Sequence, residues 1–462
     1  MYNRYRGAKT MDLQFIGATE TVTGSKYLLT SGNNRILIDC GLFQGLKNLR
    51  ERNWNPLPFM PSQINNVVLT HAHLDHSGYI PVLIKQGFKG KIYCSHGTRE
   101  LCKILLPDSG FLQEEEANFA NRHQLTNHKP ALPLYTRKEA EDSLDYFHPI
   151  EFEQDQDLGG GLKFRLLHAG HILGASMIRM TDGKRTLVFT GDLGRPHDVM
   201  MNAPDFIEET DYLVMESTYG DRLHGSENPK DELAEVINRT SKRGGTTVIP
   251  SFAVGRAQAI LYLIQQLQKE NKIPEIPVFL DSPMATDVTD LYCDFAPEHK
   301  LSKNECAAMC RTAKIINTVD ESKALDTDKF PKIIISASGM ATGGRVVHHL
   351  KTYIGDPRNT ILFAGYQAAG TRGQAITQGA KEVKIHGEYH PVRAEIVVQD
   401  ALSAHADYGE IIEWLKHLKK APKEVFLTHG EPIAADVFRR KIKETFGWKV
   451  HVPQYLEIAD LV

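Results

Sequence analysis

A short string of histidines with an aspartate is the part of this sequence best suited to chemistry. His71, His73, Asp75 and His76 lie within the six-residue segment HAHLDH, directly after the apolar run VVLT. Side chains two apart in an extended segment point to the same side, so His71 and His73 can bind one metal ion. Asp75 and His76, just past the turn, can then face a second metal. The complete string at a strand end is far more specific than a single His-x-His pair.

Further metal-binding side chains are expected where other apolar runs end. His168 and His171 follow KFRLL, Asp192 follows TLVFT, and His429 follows VFLT. Each of them alone would be explained as a helix cap or a hydrogen-bonded loop residue, but all of them lie just after an apolar run. Imidazoles combined with a carboxylate suit zinc, which binds nitrogen and oxygen ligands at about 2.0 to 2.2 Å.

The elements that must hold these residues alternate between strands and helices, which predicts an α/β layered architecture. Short β-branched runs predict strands at 36–39, 67–70, 163–167, 186–190 and 212–215. A second series begins near residue 217, with predicted strands at 246–250, 277–280, 332–336 and 361–365 and a helix from about Val254 to Glu270. The polar residues follow the strands, where ligands collect in open α/β sheets.

The length of the chain, 462 residues, exceeds what one hydrophobic core usually supports, so two domains are expected. We place the first domain at 1–210 and the second at 211–395. The remaining segment, 396–462, offers one helix-strand-helix unit that is too small to stand alone. We therefore expect it to return and complete the first domain.

The composition is that of a soluble globular protein, without an apolar run near the roughly 20 residues that a membrane helix needs. The N-terminal segment MYNRYRGAKT lacks the apolar centre of a secretory signal, so a cytoplasmic location without membrane contact is expected. The six cysteines form no recognisable disulfide framework. Because the net charge is −3, any nucleic-acid binding must come from local basic clusters and from metal ions.

Taken together, the motifs resemble the metallo-β-lactamase superfamily, and more narrowly its β-CASP ribonucleases, the prokaryotic relatives of the pre-mRNA 3′-end processing endonuclease. HAHLDH is similar to the second motif of the superfamily, and the first, third and fourth are matched by Asp39 in ILIDCG, His171 in HAGHILGA and Asp192 in GDLG. The β-CASP motifs A, B and C are matched by Glu216 in ESTYG, His405 in SAHAD and His429 in THGE. The resemblance spans roughly residues 11 to 435. It implies an αββα sandwich with an inserted α/β β-CASP domain.

The resemblance also implies a ligand set for two zinc ions per chain, with manganese as an alternative metal. One zinc would be bound by His71, His73 and His171, the other by Asp75, His76 and His429, and Asp192 would bridge them. His168 would then be structural or would support a metal ligand from behind. Asp39 would orient a ligand histidine without binding metal, as partners of metal ligands commonly do.

The chemistry implied is phosphodiester hydrolysis by a hydroxide that two metals, roughly 3.5 to 4 Å apart, generate and position. Asp75 and Asp192 would take part as metal-binding carboxylates. His405 is the predicted acid that protonates the leaving 3′ oxygen. Glu216 would hydrogen-bond His405, keep it protonated and fix its orientation.

Glycine-rich segments of the inserted domain resemble the substrate loops of β-CASP enzymes. They can offer backbone N–H groups, a helix N-terminus and nearby cations to a phosphate. The predicted substrate-binding residues are Ser251, Arg256, Ser336, Ser338, Gly343, Arg345 and Arg372. Single-stranded RNA is the expected partner, because the site must reach a backbone phosphate in a narrow cleft.

Several alternatives stay open at this point. A small-molecule ester or lactam hydrolase would need neither the inserted domain nor the pair of His405 and Glu216. A DNA nuclease is disfavoured by His429, because a histidine at motif C accompanies RNA substrates in this family. A catalytically inactive scaffold would not need an intact ligand set. Endonuclease action is the first choice over a 5′ exonuclease mode, and the oligomeric state is open, with a homodimer as one alternative.

Overall fold

The computed structural model describes residues 11–124, 128–225 and 227–462. The N-terminal segment that argued against a secretory signal lies at 1–10, outside the described residues. Within the described ranges, every helix is too short or too polar to cross a membrane.

The chain forms three successive groups of elements. The first contains β1 (Met11–Phe15), β2 (Tyr27–Ser31), β3 (Asn34–Ile38), α1 (Lys47–Glu51), β4 (Asn66–Val68), α2 (Leu74–Ser77), α3 (Ile80–Lys85), β5 (Lys91–Ser95), α4 (His96–His123), α5 (Arg137–Ser143), β6 (Phe147–Ile150), β7 (Gln156–Asp157), β8 (Lys163–His168), β9 (Ser176–Thr181), β10 (Thr186–Phe189) and β11 (Tyr212–Glu216). The second contains α6 (Pro229–Lys242), β12 (Thr247–Pro250), α7 (Arg256–Lys269), β13 (Val278–Asp281), α8 (Pro283–Tyr292), α9 (Lys303–Cys310), β14 (Lys314–Ile315), α10 (Val319–Thr327), β15 (Ile333–Ser336), α11 (Arg345–Tyr353), β16 (Thr360–Ala364), α12 (Arg372–Thr377), β17 (Glu382–Ile385), β18 (Glu388–Pro391) and β19 (Glu395–Gln399). The third contains α13 (Tyr408–Leu415), β20 (Glu424–Thr428), α14 (Pro432–Phe446), β21 (Val450–His451) and β22 (Ile458–Leu461).

The first and third groups build two mixed sheets that pack face to face. One sheet has the order β22-β1-β2-β3-β4-β5-β6, and the other has the order β21-β20-β11-β10-β9-β8-β7. Apolar side chains from both sheets share one buried core, including Phe15 and Ile38 from the first and Phe189 and Phe426 from the second. Strand β1 alternates between fully and partly buried residues, as expected for a strand with one face on a core. Helix α4 lies against β5 and β6, and helix α14 lies against β20 and β21.

The second group of elements builds a separate sheet of parallel strands in the order β14-β13-β15-β12-β16-β19. Strands β12, β15 and β16 are buried along their whole length, which is typical of parallel strands with both faces covered. A hairpin of β17 and β18 accompanies the sheet. Predicted strands and the helix of this region match the structure within about two residues at each end, the usual scatter of boundaries.

Two compact units follow from these contacts. The first unit comprises the described residues up to His197 together with Ala203–Leu223 and His405–Val462. The second unit comprises Asp198–Asn202 and the described part of His224–Ala404. The predicted sandwich with an inserted α/β domain is therefore confirmed as a fold class. The exact domain boundaries at 210 and 395 stay predictions. The two compact units change over after residues 223 and 404.

Candidate metal centre

The candidate site lies where several strands of the first unit end. Strands β10, β11 and β20 run parallel, so their carboxyl ends meet at one edge of the second sheet. Asp192 follows β10, Glu216 is the last residue of β11, and His429 directly follows β20. In the facing sheet β3 and β4 are also parallel, and they lead into Asp39 and into HAHLDH. Residues that each follow a strand in the sequence therefore lie close together in the structure.

Three imidazoles and one carboxylate form the first group of donor atoms. His71, His73, His171 and Asp192 each contribute one atom, and these atoms lie within 4.8 Å of one another. His73 Nδ1 is 3.2 Å from both His71 Nε2 and His171 Nε2. Asp192 Oδ2 lies 3.4 Å from His71 Nε2 and 3.5 Å from His171 Nε2. These separations match the edge of a tetrahedron, about 3.4 Å, whose corners lie about 2.1 Å from a central zinc.

A second group of donors lies on the other side of the same carboxylate. Asp75, His76 and His429 offer atoms within 4.8 Å of one another. Asp192 Oδ1 is 3.2 Å from His76 Nε2, and Asp75 Oδ2 is 3.2 Å from His429 Nε2. Because Oδ2 of Asp192 faces the first group and Oδ1 faces the second, this one carboxylate can bridge two cations.

The electrostatics of the first group favour the form of histidine that binds metals. Burial lowers the pKa of His71 to about 3 and the pKa of His73 to about 4, and it holds the pKa of His171 well below its usual value. Burial alone would raise the pKa of Asp192, but the surrounding imidazoles, His429 and His76 first, hold it well below the ordinary range. Neutral imidazoles around an ionised carboxylate are the ligand forms that zinc requires. The first group of donors therefore fits the metal that the sequence predicts.

Hydrogen bonds behind the donors orient two of the histidines. Asp39 Oδ2 lies 2.8 Å from His76 Nδ1, and Thr70 holds Asp39 by donating its backbone N–H to Oδ1 over 2.7 Å. Thr218 Oγ1 lies 3.1 Å from His429 Nδ1. Neither Thr70 nor Thr218 is among the site residues predicted from the sequence, although each threonine lies within two residues of a motif residue, next to HAHLDH or after Glu216.

Close backbone contacts fix the segment that carries Asp75 and His76. The backbone N–H groups of Ser25 and Cys40 donate to the carbonyl oxygens of Asp75 and His76 over 2.8 and 2.7 Å. Gly41 approaches so closely that an added Cβ would lie 1.6 Å from Asp75 O. Only glycine can occupy this position without moving the donors.

A further pair, Glu216 and His405, lies beside the donors. His405 Nδ1 is 3.0 Å from Glu216 Oε2 and 3.1 Å from Oε1, and it is 4.0 Å from Asp192 Oδ2. Burial would lower the pKa of His405, but the charges of Glu216 and Asp192 outweigh it and raise this pKa to about 9. The His405 ring also lies against His171, with centroids 4.6 Å apart. By contrast, His168 is not among the donors: its ring stacks on Phe152 at 3.8 Å.

Known protein families match most of the chain. Family models match at 21–238 (Metallo-beta-lactamase superfamily), 257–376 (Beta-Casp domain) and 389–453 (Zn-dependent metallo-hydrolase RNA specificity domain). Ribonuclease TTHA0252 of Thermus thermophilus is 35% identical over 90% of this chain and 92% of its own length. The chain belongs to the β-CASP family of metallo-β-lactamase-fold ribonucleases. It is accordingly a metal-dependent hydrolase.

Two other proteins are also similar to this β-CASP chain. Transcription termination factor FttA of Methanosarcina mazei is 31% identical over 93% of this chain and 69% of its own length. A crystal structure described as a protein of unknown function from Enterococcus faecalis V583 has a TM-score of 0.57 at 13% identity, covering 98% of this chain and all of that one. At that identity the likeness supports the fold alone.

The predicted β-CASP substrate residues lie in the second unit, and several have internal partners. Arg345 NH1 donates to Asp281 Oδ1 over 2.7 Å, and its NH2 donates to the carbonyl of Asn317 over 2.8 Å. Ser336 is fully buried and donates to Asp281 O over 2.9 Å, while Arg372 donates to the carbonyls of Lys384 and Ala341. These bonds explain the side chains without a ligand, so their contact with RNA stays a prediction.

The remaining predicted substrate residues differ in exposure. Ser251 and Arg256 are buried, whereas Ser338 is half-buried and its hydroxyl lies 3.1 Å from Thr342 Oγ1. Gly343 is exposed, and an added Cβ would meet nothing within 4 Å. Of these four positions, Ser338 and Gly343 are therefore the more accessible to a phosphate, and their contact with RNA also stays a prediction.

Proposed function

We propose that this protein is a zinc-dependent ribonuclease that cuts single-stranded RNA internally at a centre of two metal ions. The observation that carries the proposal is the position of His405. Its imidazole is held by Glu216 and stands 4.0 Å from Asp192, the carboxylate whose two oxygens face both groups of donors. A proton donor beside such a centre suits a reaction whose leaving group is a poor one, as a ribose 3′ oxygen is.

Each part of the site has a distinct task in this proposal. Bound zinc ions would supply a hydroxide nucleophile at neutral pH and neutralise charge on the phosphoryl oxygens. Asp192 would fix the separation of the two ions, since each of its oxygens faces one group. Asp75 would complete the second group together with His429, 3.2 Å away.

Proton transfer is assigned to His405. Its Nδ1 faces the Glu216 carboxylate, so the opposite ring nitrogen, Nε2, is the one that would donate to the leaving oxygen. Glu216 would keep the imidazole protonated near neutral pH, since both its charge and its hydrogen bond raise the pKa of His405. The name of the Thermus thermophilus relative, a ribonuclease, supports RNA as the substrate. A cytoplasmic location is part of the proposal, because a single-stranded RNA substrate would be met there.

The test compares an internally labelled single-stranded RNA with DNA of the same sequence, using wild type and His405→Ala with zinc content measured for both. We expect wild type to cut RNA selectively and His405→Ala to lose about 100- to 10,000-fold in kcat with its zinc retained, the usual contribution of a general acid. His123→Ala, at an exposed histidine of α4, serves as the control and should behave as wild type. Two zinc ions per chain without RNA cleavage would favour a small-molecule hydrolase or a scaffold.

A circular single-stranded RNA separates the two cleavage modes. An endonuclease linearises the circle, whereas a 5′ exonuclease cannot begin without an end. We expect linear products carrying a 5′ phosphate, since the proton goes to the 3′ oxygen. A protein that degrades linear RNA and leaves the circle intact would replace the endonuclease proposal by the 5′ exonuclease mode.

A further inference from the structure

The orientation of His405 depends on two segments that meet at Glu216. One oxygen of Glu216, Oε1, accepts a hydrogen bond from the backbone N–H of Leu193 over 2.6 Å, and both of its oxygens lie within 3.1 Å of His405 Nδ1. Leu193 directly follows Asp192. The loop after β10 and the segment before α13 therefore share one buried carboxylate.

The same two segments are joined a second time by an ion pair. Arg195 donates to Glu410 Oε1 through Nε over 3.1 Å and through NH2 over 3.0 Å. Both side chains are only 16% exposed, so water screens this pair less than it screens an ordinary surface pair. Between these two links, the backbone N–H of Ala406 donates to Leu193 O over 2.8 Å.

Glu410 also forms hydrogen bonds with Asp407, two residues after His405. Its Oε2 accepts the N–H of Asp407 over 3.0 Å, while Asp407 Oδ1 accepts the N–H of Glu410 over 2.9 Å, which forms a capping box at the start of α13. The Glu410 carboxylate thus binds Arg195 through both oxygens on one side and, through Oε2, the residue two positions after His405 on the other. The Arg195 guanidinium is therefore connected, through Glu410 and the backbone of Asp407, to the segment that carries the His405 imidazole.

We infer that Arg195 and Glu410 are positioning residues that hold His405 in the orientation needed for proton donation. The inference rests on the proposed function, because it takes His405 as the acid. Arg195 is not itself a catalytic residue: in the described structure it reaches the site through Glu410 and through the loop after β10. A lysine could keep the charge but not the two-point contact with a carboxylate, so arginine is the suited residue.

The dependence of kcat on the leaving group distinguishes a positioning role from a merely structural one. RNA needs a proton on its departing alkoxide, whereas bis(p-nitrophenyl) phosphate releases a phenolate that leaves without one. Loss of His405 positioning should therefore reduce kcat on RNA and spare kcat on the nitrophenyl ester. Loss of metal or of folding would reduce both.

The experiment measures kcat on both substrates for Arg195→Gln, Arg195→Lys, Glu410→Gln and His405→Ala, with metal content and thermal unfolding determined for each. Glutamine at 410 can still close the capping box, so Glu410→Gln removes the ion pair alone. Arg185→Gln is the matched control: Arg185 is 12% exposed, pairs with Asp182, and lies before β10, at the opposite end of that strand from Asp192.

We expect Arg195→Gln and Glu410→Gln to lose about 10- to 100-fold in kcat on RNA, a part of the general-acid factor, and to stay within about twofold on the ester. Arg195→Lys should recover part of the loss. A crystal structure of Arg195→Gln should show His405 Nδ1 beyond hydrogen-bond distance of Glu216. Arg185→Gln should match wild type on both substrates.

Other outcomes would overturn the inference in distinguishable ways. Equal losses on both substrates would assign Arg195 to folding or to metal retention. A selective defect in His405→Ala beside an unaffected Arg195→Gln would refute the inference and leave the proposed function standing. An unaffected His405→Ala would refute the acid itself, and the positioning role with it.

Discussion

A buried histidine of the second unit should make its stability depend on pH. His349, on α11, is fully buried, with Nε2 2.7 Å from Asp281 Oδ2 and Nδ1 2.7 Å from Asp326 Oδ1. Burial by itself would lower the pKa of His349, but the hydrogen bonds and charges of the two carboxylates outweigh it and raise this pKa from 6.5 to about 8. The imidazolium form is therefore the one that the folded protein favours.

The size and sign of the effect follow from that shift. A difference of about 1.5 pH units corresponds to about 2 kcal/mol, or about 30-fold in an equilibrium constant. Because the folded-state pKa lies above the unfolded one, this stabilisation is complete below about pH 6.5 and is lost as the pH rises through about 8. His349→Gln, which carries no titrating charge, should remove both the stabilisation and its pH dependence.

Hydrogen exchange measured by mass spectrometry on peptides from α11 is the suitable assay. The three tryptophans, Trp54, Trp414 and Trp448, lie in the first unit, so their fluorescence would not report on this region. We expect wild-type protection in α11 to fall by about 30-fold between pH 6 and pH 9, after correction for intrinsic exchange, with no such fall in His349→Gln. His348→Gln, at the exposed neighbour, is the control. Equal pH dependence in wild type and His349→Gln would refute the reasoning.

Three further predictions concern the metal centre. Gly41→Ala should lower metal content and RNA cleavage together, because its Cβ would lie 1.6 Å from Asp75 O; full metal content in the variant, read by elemental analysis, would contradict this. Asp39→Asn should weaken metal affinity by about 10- to 100-fold through the loss of the carboxylate that orients His76, and titration with a chelator measures it. Removal of metal by chelation should lower the unfolding temperature of the first unit, followed by tryptophan fluorescence, and added zinc should restore it; an unchanged temperature would argue against a metal-filled site.

Much of the candidate site could be predicted from the sequence because its residues share one rule of placement. The strands before Asp39, His71, His171 and Asp192 are short runs rich in apolar residues, and in parallel or mixed sheets such strands end at a common edge. The pattern therefore located the donors without any knowledge of which strands were neighbours. His168 obeys the same rule and is nevertheless not among the donors, because its ring stacks on Phe152.

The sequence could not show pairs of interacting residues that lie far apart along the chain and meet only in the folded protein. Arg345 is predicted to bind phosphate because it follows a glycine-rich segment, and the structure adds that its guanidinium binds Asp281, 64 positions earlier. Arg195 and Glu410 are separated by 215 positions, and neither belongs to a motif. Periodicity and spacing describe neighbours along the chain, so contacts across a sheet between distant segments leave no signal in a single sequence.

The buried charges around the site give an independent argument for bound cations. Asp39, Asp192 and Glu216 are almost fully buried and Asp75 is 19% exposed, so four carboxylates share one small volume. Buried anions are costly unless cations pair with them. Two divalent ions would supply four positive charges, and the proton on His405 would balance a hydroxide nucleophile. With a single ion the other two negative charges could be balanced by protons on His405 and His76, because burial would lower both pKa values but the charges of the nearby carboxylates outweigh it. The second group of donors therefore fills only when a cation replaces the proton of His76.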